Sequence, residues 1–301
     1  MLFLYYNPAT VKTNPIVPRN KTGAVGMFNW LFETPAWLQA FIIVGGIVIA
    51  SVAGLLVLRR GIYRLCCLQG EHSEAINEAI SFFGAAMGVF YGLTASLIAI
   101  NTWQSYTELR GLASREAASL AALYRDASGY PEPIRGKLEE ELRKYTRHVI
   151  EVAWPAAARG EIVDVTTRQV NDFMELLYRF QPQDEGQKII HAETVGRFNE
   201  LVERRRQRIE QVGESLPGPL WGVVLVGAFL SITVSYFFYF NNIRLHVLMT
   251  AMLATFIGLL TFAIVIFDQP CRGELRVRPS AYELVLDRVM HGRGDDHDPS
   301  R

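Results

Sequence analysis

One charge-free stretch of the chain carries residues whose spacing fits the lining of a pore. Phe83, Met87 and Phe90 recur at helical steps, and Thr94 and Asn101 continue the same face with a hydroxyl and an amide. If several copies of this helix surround an axis, the face forms an aromatic constriction with a polar exit. Apolar rings of this kind can gate by excluding water. The same spacing also fits an ordinary stripe that faces lipid or a protein core.

Small residues lie on the opposite side of this helix, and an earlier segment carries a matching ladder. The ladders are Gly46, Ala50 and Gly54 in the first segment and Gly84, Gly88 and Gly92 in the second. Small residues every four positions let helix backbones approach closely in membranes. We therefore predict helix packing through these residues, in a tight hairpin between the two segments. Scattered small residues without a packing role are the alternative.

Two charged residues occupy positions at which the helical pattern predicts apolar residues. Glu116 lies in register with Ala113 and Leu120, and Arg205 lies in the apolar stripe of a later helix. A charge on a buried face needs a partner, because otherwise nothing offsets its desolvation. We predict that Glu116 and Arg205 form a buried ion pair. The alternative is that each side chain reaches past the core to water.

No signature of catalysis accompanies these residues. The sequence has no H-E-x-x-H or G-x-S-x-G motif, and its six histidines show no ligand spacing. Its three cysteines form no C-x-x-C pair, which argues against a zinc site. The 30 basic and 30 acidic residues leave no net charge that would favour nucleic acid. We therefore expect no enzyme activity, no cofactor, no metal site and no nucleic-acid partner.

Four apolar segments without Asp, Glu, Lys or Arg must position these residues. They cover residues 36–58, 79–100, 220–240 and 245–267. Roughly 20 apolar residues cross a bilayer as a helix, and a charge at mid-membrane costs a few kcal/mol or more. The segments therefore predict four transmembrane helices. A soluble protein would have to bury all of them in one core.

The polar middle of the chain shows the periodicity of helices. Apolar residues at three- and four-residue steps predict helices through Leu109–Leu123, Ile134–Val152, Val170–Phe180 and Ala192–Val212. The second of these should stop before Pro155, because a proline inside a helix removes a hydrogen bond and clashes with the preceding turn. The second span should run into the first polar helix without a break, and a short helix around residues 282–290 should follow the last span.

The predicted fold class is all-α, a polytopic membrane protein with two transmembrane helical hairpins flanking a cytoplasmic helical bundle. Its parts are a flexible N-terminal tail and interfacial segment (1–35), the first hairpin (36–100), the bundle (101–217), the second hairpin (218–267) and a C-terminal segment with a short helix and a disordered tail (268–301). Residues 1–26 show no period, and we expect them to be dispensable. Arginines near the span ends concentrate on the side of the bundle and both termini, which places that side in the cytoplasm and the protein in the cell inner membrane.

The layout and several motifs resemble the bestrophin-like family of bacterial membrane proteins. The matching residues are Arg115-Glu116-Ala117, Tyr145, Trp154, Arg205, Arg208, Leu216-Pro217, Trp221 and the run from Asp268 to Gly273. Cys271 stands where the family usually has an aromatic residue, and Ala153 where it usually has a carboxylate. The resemblance implies an oligomeric anion channel with an aromatic neck on the second span. The acidic calcium-binding cluster of bestrophins has no counterpart, because residues 273–278 are net basic.

We therefore expect a homo-oligomer in the lipid bilayer that conducts small anions. The alternative is a non-conducting membrane scaffold or sensor whose cytoplasmic bundle binds a protein partner. A transporter is disfavoured, because no span contains Asp, Glu, Lys or Arg or a helix-breaking midpoint.

Overall fold

The computed structural model describes residues 34–65, 73–161, 166–240 and 242–291. All regular structure in these ranges is helical: α1 (Ala36–Leu65), α2 (Ser73–Ala127), α3 (Ile134–His148), α4 (Trp154–Ala158), α5 (Thr167–Arg179), α6 (Glu185–Val212), α7 (Gly218–Tyr236), α8 (Ile243–Asp268) and α9 (Ser280–Val285). The π-helical turns Val149–Ala153 and Leu286–His291 extend α3 and α9. The predictions for residues 1–33 and 292–301 lie outside the described residues.

Four helical stretches are long and apolar enough to cross a membrane. They are Ala36–Ile62, a window within Asn77–Ala127, a window within Glu185–Tyr236, and Ile243–Asp268. Only a minority of the residues in these stretches are buried in the single chain, as expected where lipid or further copies provide the apolar surroundings. The prediction of an all-α polytopic membrane protein is confirmed.

The long helix α2 joins the membrane part to the bundle. It has 55 residues, which corresponds to about 82 Å at 1.5 Å per residue, and no proline interrupts it. Its membrane half packs on α7 and α8, and its polar half packs on α6 and α9. The predicted continuity of the second span and the first polar helix is confirmed.

The polar half of α2 shares one apolar core with α3, α5, α6 and α9. Its fully buried side chains include Leu109, Leu120, Leu123, Leu138, Phe173, Leu177, Leu201 and Tyr282. Burying one leucine stabilises a fold by roughly 1.5–3 kcal/mol, so this cluster dominates the stability of the bundle. The start of α6 is set by Asp184, whose carboxylate accepts a hydrogen bond from the Gln187 N–H at 2.7 Å.

Helix α3 does not end where the proline rule predicts. The helical path continues through the π-helical turn Val149–Ala153 and past Pro155 to Ala158. A proline ring needs room beside the preceding turn, and the wider π-helical turn supplies it. The predicted stop before Pro155 is therefore wrong. The helix ends instead just before Gly160, which has φ +81°, a left-handed conformation that glycine adopts without strain.

The predicted close packing of the first span on the second is wrong. Within the described residues, α1 packs mainly on α8, whereas α2 packs on α7 and α8. A Cβ added to Gly46, Gly88 or Gly92 would meet no atom within 4 Å, and Ala50 is exposed. A ladder of small residues permits close approach but does not specify the partner helix.

The remaining ladder glycines, Gly54 and Gly84, contact α7. A Cβ on Gly54 would lie 2.7 Å from the Tyr236 hydroxyl, and one on Gly84 would lie 3.2 Å from Val234 Cγ1. Two glycines outside the ladders also mark close helix contacts. A Cβ on Gly258 of α8 would lie 3.0 Å from the Cα of Val44 in α1, and one on Gly227 of α7 would lie 2.4 Å from the Tyr91 ring of α2.

Candidate functional site

The large apolar side chains that are exposed on the membrane half of α2 lie along one side of the helix. They are Phe82, Phe83, Val89, Phe90, Leu93, Leu97 and Ile100. At 100° per residue they fall within an arc of about 120°. On the opposite side, Ile98 is buried in a small cluster with Val224 of α7 and Ile264 of α8. The packing of α2 inside one chain therefore decides which face remains open, and we call this exposed arc the open face.

Most of the predicted pore-lining residues lie on or beside the open face. Phe83, Phe90, Thr94 and Asn101 are exposed, and the Phe90 side chain is 73% accessible. Met87 is half-buried, because it lies at the edge of the packed side. The Thr94 hydroxyl donates to the Phe90 carbonyl at 2.8 Å. Aromatic, hydroxyl and amide groups thus follow one another along a single side of the helix.

The open face continues past the apolar segment and acquires charge. Glu108 lies at the same angular position as Phe90, and Arg115 lies within about 20° of it. Both residues are exposed. The Arg115 carbonyl accepts a hydrogen bond from Arg204 Nη1 of α6 at 2.7 Å, which fixes the helix beside its packing partner.

A buried ion pair lies just behind this part of α2. The Glu116 side chain is fully buried, and its Oε2 accepts a hydrogen bond from Arg208 Nε of α6 at 2.7 Å. Arg208 Nη2 lies 3.4 Å from the other carboxylate oxygen, Oε1, and the Tyr145 hydroxyl of α3 donates to Oε1 at 2.6 Å. Three helices therefore meet at one carboxylate, and a two-point contact with a guanidinium satisfies the buried charge.

The prediction that Glu116 pairs with Arg205 is wrong, because the buried Glu116 carboxylate pairs with Arg208. The Arg205 guanidinium donates from Nε to the Thr166 hydroxyl at 2.8 Å and from Nη2 to the Thr167 hydroxyl at 2.9 Å. It thereby ties α6 to the start of α5. Positions three residues apart lie about 60° apart on a helix, so both arginines fall on the buried side of α6. Apolar periodicity cannot tell which of them faces α2.

Aromatic side chains enclose the Glu116–Arg208 pair. The Arg208 guanidinium carbon lies 5.6 Å from the Trp154 ring centroid, within the range of a cation–π contact, and the Trp154 ring packs against Tyr282 at 5.5 Å. Burial raises the pKa of Tyr145 and of Tyr282 well above the ordinary value, and the charge of Glu116 raises both further. Burial opposes the charge on Arg208, but the Glu116 carboxylate more than offsets it and holds the pKa of Arg208 well above its ordinary value. Arg208 therefore remains charged, and both tyrosines remain neutral.

The segment after α8 closes the junction between the membrane helices and the bundle. The buried Asp268 carboxylate accepts a hydrogen bond from the Leu216 N–H at 2.5 Å, which joins the end of α8 to the linker before α7. Cys271 packs in the bundle core, and burial raises the pKa of its thiol to about 11. A neutral buried thiol is a poor nucleophile. Cys271 thus fills apolar space where the family usually places an aromatic ring.

Residues 45–282 match the sequence profile of the bestrophin-like domain. The chain belongs to the bestrophin-like family. No curated protein shows significant similarity to it. Four of the residues that carried the resemblance converge in this bestrophin-like protein, since the Glu116–Arg208 pair, Tyr145 and Trp154 form one buried cluster.

Local sequence patterns do not predict two features of this bestrophin-like chain. Arg208 was visible only as part of a family motif, because nothing in its own spacing distinguishes it from Arg205. His246 lies at the start of an apolar segment, yet its side chain is buried and Nε2 lies 2.9 Å from the Ser235 carbonyl of α7.

Among the described residues, no group of His, Cys, Asp and Glu side chains is placed to hold a metal ion.

Proposed function

We propose that the protein is an oligomeric, anion-preferring membrane channel whose pore is lined by the open face of α2. The observation that carries this proposal is the composition of that face: exposed Phe83 and Phe90 are followed by exposed Thr94 and Asn101. Polar groups near a membrane span usually face a bundle interior or a water-filled cavity rather than lipid. In an oligomer, the open faces would surround an axis and provide both an aromatic constriction and a wetted exit.

Anion preference is proposed from family membership and from the chemistry of aromatic rings. Beyond the span the open face carries one carboxylate, Glu108, and one guanidinium, Arg115, so these two residues add no net charge. A phenylalanine ring has a positive edge. Rings from several subunits that turn their edges toward the axis favour an anion over a cation of the same size.

The proposed setting is a homo-oligomer in the cell inner membrane, with the bundle and both termini in the cytoplasm. Arginines near the span ends on the bundle side, such as Arg110, Arg115, Arg272 and Arg276, support this orientation. Small anions are then the permeant species. The open face of the long α2 would line their path from the membrane part toward the bundle.

Ion flux through reconstituted protein tests the proposal. Chloride-loaded liposomes that contain the purified protein should release chloride faster than protein-free liposomes with the same load. The flux should fall when a bulky organic anion replaces chloride. Vesicles loaded with potassium and an impermeant anion serve as the control for selectivity. Absence of flux from vesicles that contain an intact oligomer would contradict the proposal.

A non-conducting scaffold or sensor is the second candidate. It is favoured by two large apolar side chains on the bundle, Tyr178 and Ile189, which are both 71% exposed. Exposed apolar residues on a polar domain can mark a binding surface for a protein. Intact oligomers without ion flux would support this candidate, particularly if Tyr178→Ser or Ile189→Ser abolished binding of a partner isolated with the wild type.

A further inference from the structure

The loop between α8 and α9 lies at the level where α1 enters the membrane. The Glu274 carboxylate Oε2 accepts a hydrogen bond from the backbone N–H of Ala36, the first residue of α1, at 2.8 Å. The next residue, Trp37, is 70% exposed, and Phe41 follows one turn later on the same exposed side. Tryptophan is enriched at the boundary between membrane and water. The loop is therefore held at this boundary on the bundle side.

Val277 anchors the last part of this loop to the bundle. Its N–H donates to the Pro270 carbonyl at 2.8 Å, its carbonyl accepts a hydrogen bond from Trp154 Nε1 at 2.8 Å, and its side chain is buried. Arg276 and Arg278 flank this anchor, and both are exposed. The fixed backbone between them holds two cationic side chains at the surface close to each other.

These two arginines differ from many on the bundle surface in having no carboxylate partner. Arg197 pairs with Glu193, and Arg206 pairs with Glu210, each one turn away on α6. In the part of the chain that the structure describes, neither Arg276 nor Arg278 forms an ion pair. Leu275 precedes them and is 50% exposed. An apolar side chain beside two unpaired cations at a membrane boundary matches a phospholipid, which offers an acyl chain next to a phosphate.

We propose that residues 275–278 form a binding site for the headgroups of anionic phospholipids in the leaflet on the bundle side. Arg276 and Arg278 bind the phosphate, and Leu275 enters the boundary of the acyl chains. A basic side chain near an anionic membrane surface strengthens binding about fivefold. The two arginines together then favour an anionic over a zwitterionic lipid by roughly 25-fold. This site is independent of ion conduction, so the flux experiment and the lipid experiment can fail separately.

Lipid binding to the purified full-length chain tests the site. Phosphatidylglycerol and phosphatidylcholine are titrated separately into protein in detergent, and bound lipids are counted by native mass spectrometry. Arg276→Gln/Arg278→Gln should weaken phosphatidylglycerol binding by roughly 25-fold. Phosphatidylcholine binding should weaken much less, because the choline ammonium already offsets the charge of its phosphate. Arg276→Lys/Arg278→Lys should retain most of the binding. Leu275→Ser should weaken both lipids by the same factor.

The matched control removes two arginines far from the membrane. Arg135 and Arg179 are exposed and pair with Glu132 and Glu175, and Arg135→Gln/Arg179→Gln should bind phosphatidylglycerol like the wild type. The proposal is overturned if the Arg276/Arg278 variant also does so. It is equally overturned if inorganic phosphate displaces the lipid completely, since the site would then serve a free anion. Dissociation of the Arg276/Arg278 variant into monomers in phosphatidylcholine nanodiscs would assign the arginines to a contact between copies instead.

Discussion

Glu116 and Arg208 meet in the buried centre of the protein, with Oε2 and Nε 2.7 Å apart and side chains that are 0% and 5% exposed. They join α2, which carries the open face in the membrane, to α6, which runs through the bundle. Since the same α2 extends through both regions, this pair fixes the rotation of α2 where it leaves the membrane. The bundle thereby helps to determine which side of α2 packs on α7 and α8.

Removing either charge should destabilise the protein strongly. Glu116→Gln and Arg208→Gln should each cost roughly 3–5 kcal/mol, because each leaves an uncompensated buried charge. The double variant should cost clearly less than the sum. Chemical unfolding of purified protein in detergent measures the cycle. A parallel cycle with Arg205→Gln should give a smaller coupling to Glu116, and equal coupling for the two arginines would contradict the assignment.

Gly227 should resist substitution. A Cβ there would lie 2.4 Å from the Tyr91 ring, so Gly227→Ala must displace α2 or the ring, at a cost of roughly 1–3 kcal/mol. Gly222 lies on the same helix, and a Cβ there would meet no atom within 4 Å. Gly222→Ala should therefore be neutral or stabilising by up to about 1 kcal/mol. Thermal unfolding in detergent compares the two variants. Equal midpoints would mean that the contact between Gly227 and the Tyr91 ring has room for a methyl group.

Phe90→Ala should widen the proposed constriction and raise chloride flux in liposomes. Folding should be nearly unaffected, because the Phe90 ring is 73% exposed and makes few contacts within its own chain. Phe229 of α7 is similarly exposed, at 68%, and Phe229→Ala is the matched control that should leave the flux unchanged. If both variants raise the flux alike, membrane leakiness rather than pore widening is the cause.

Cys271 should make the protein less stable in alkaline solution. Its pKa rises from 9.0 to about 11 through burial, so the folded state retains a proton that the unfolded state loses. This contribution to stability is complete below pH 9 and is lost as the pH rises toward 11, by roughly 2–3 kcal/mol.

Thermal midpoints of wild type and Cys271→Ala between pH 8 and pH 11 measure the effect. The variant should show a shallower decline, although Tyr145 and Tyr282, whose pKa values are also raised, keep some slope in both proteins. Identical slopes would mean that the Cys271 thiol is hydrated in the folded state.

Sequence patterns alone predict the number and position of the spans, the helical character of the bundle and the family. Each of these depends on local properties, such as a run of apolar residues as long as a bilayer is thick or a stripe at helical spacing. The burial of Glu116 and Arg205 was also readable, because each interrupts an apolar stripe. Phe83, Phe90, Thr94 and Asn101 are exposed in the single chain, but Gly88 and Gly92, whose predicted packing placed these four residues on the opposite side, contact no other helix among the described residues.

Which helices contact one another is known only from the three-dimensional arrangement. The ladders of Gly46 and Gly88 suggested a hairpin, yet α1 packs on α8 through Gly258, because small residues permit close contact with any helix of complementary shape. Likewise Arg205 and Arg208 lie on the same side of α6, about 60° apart around the helix. Arg208 contacts Glu116, whereas Arg205 contacts Thr166. Such choices depend on how helices distant in sequence are rotated against each other, and no local pattern encodes that rotation.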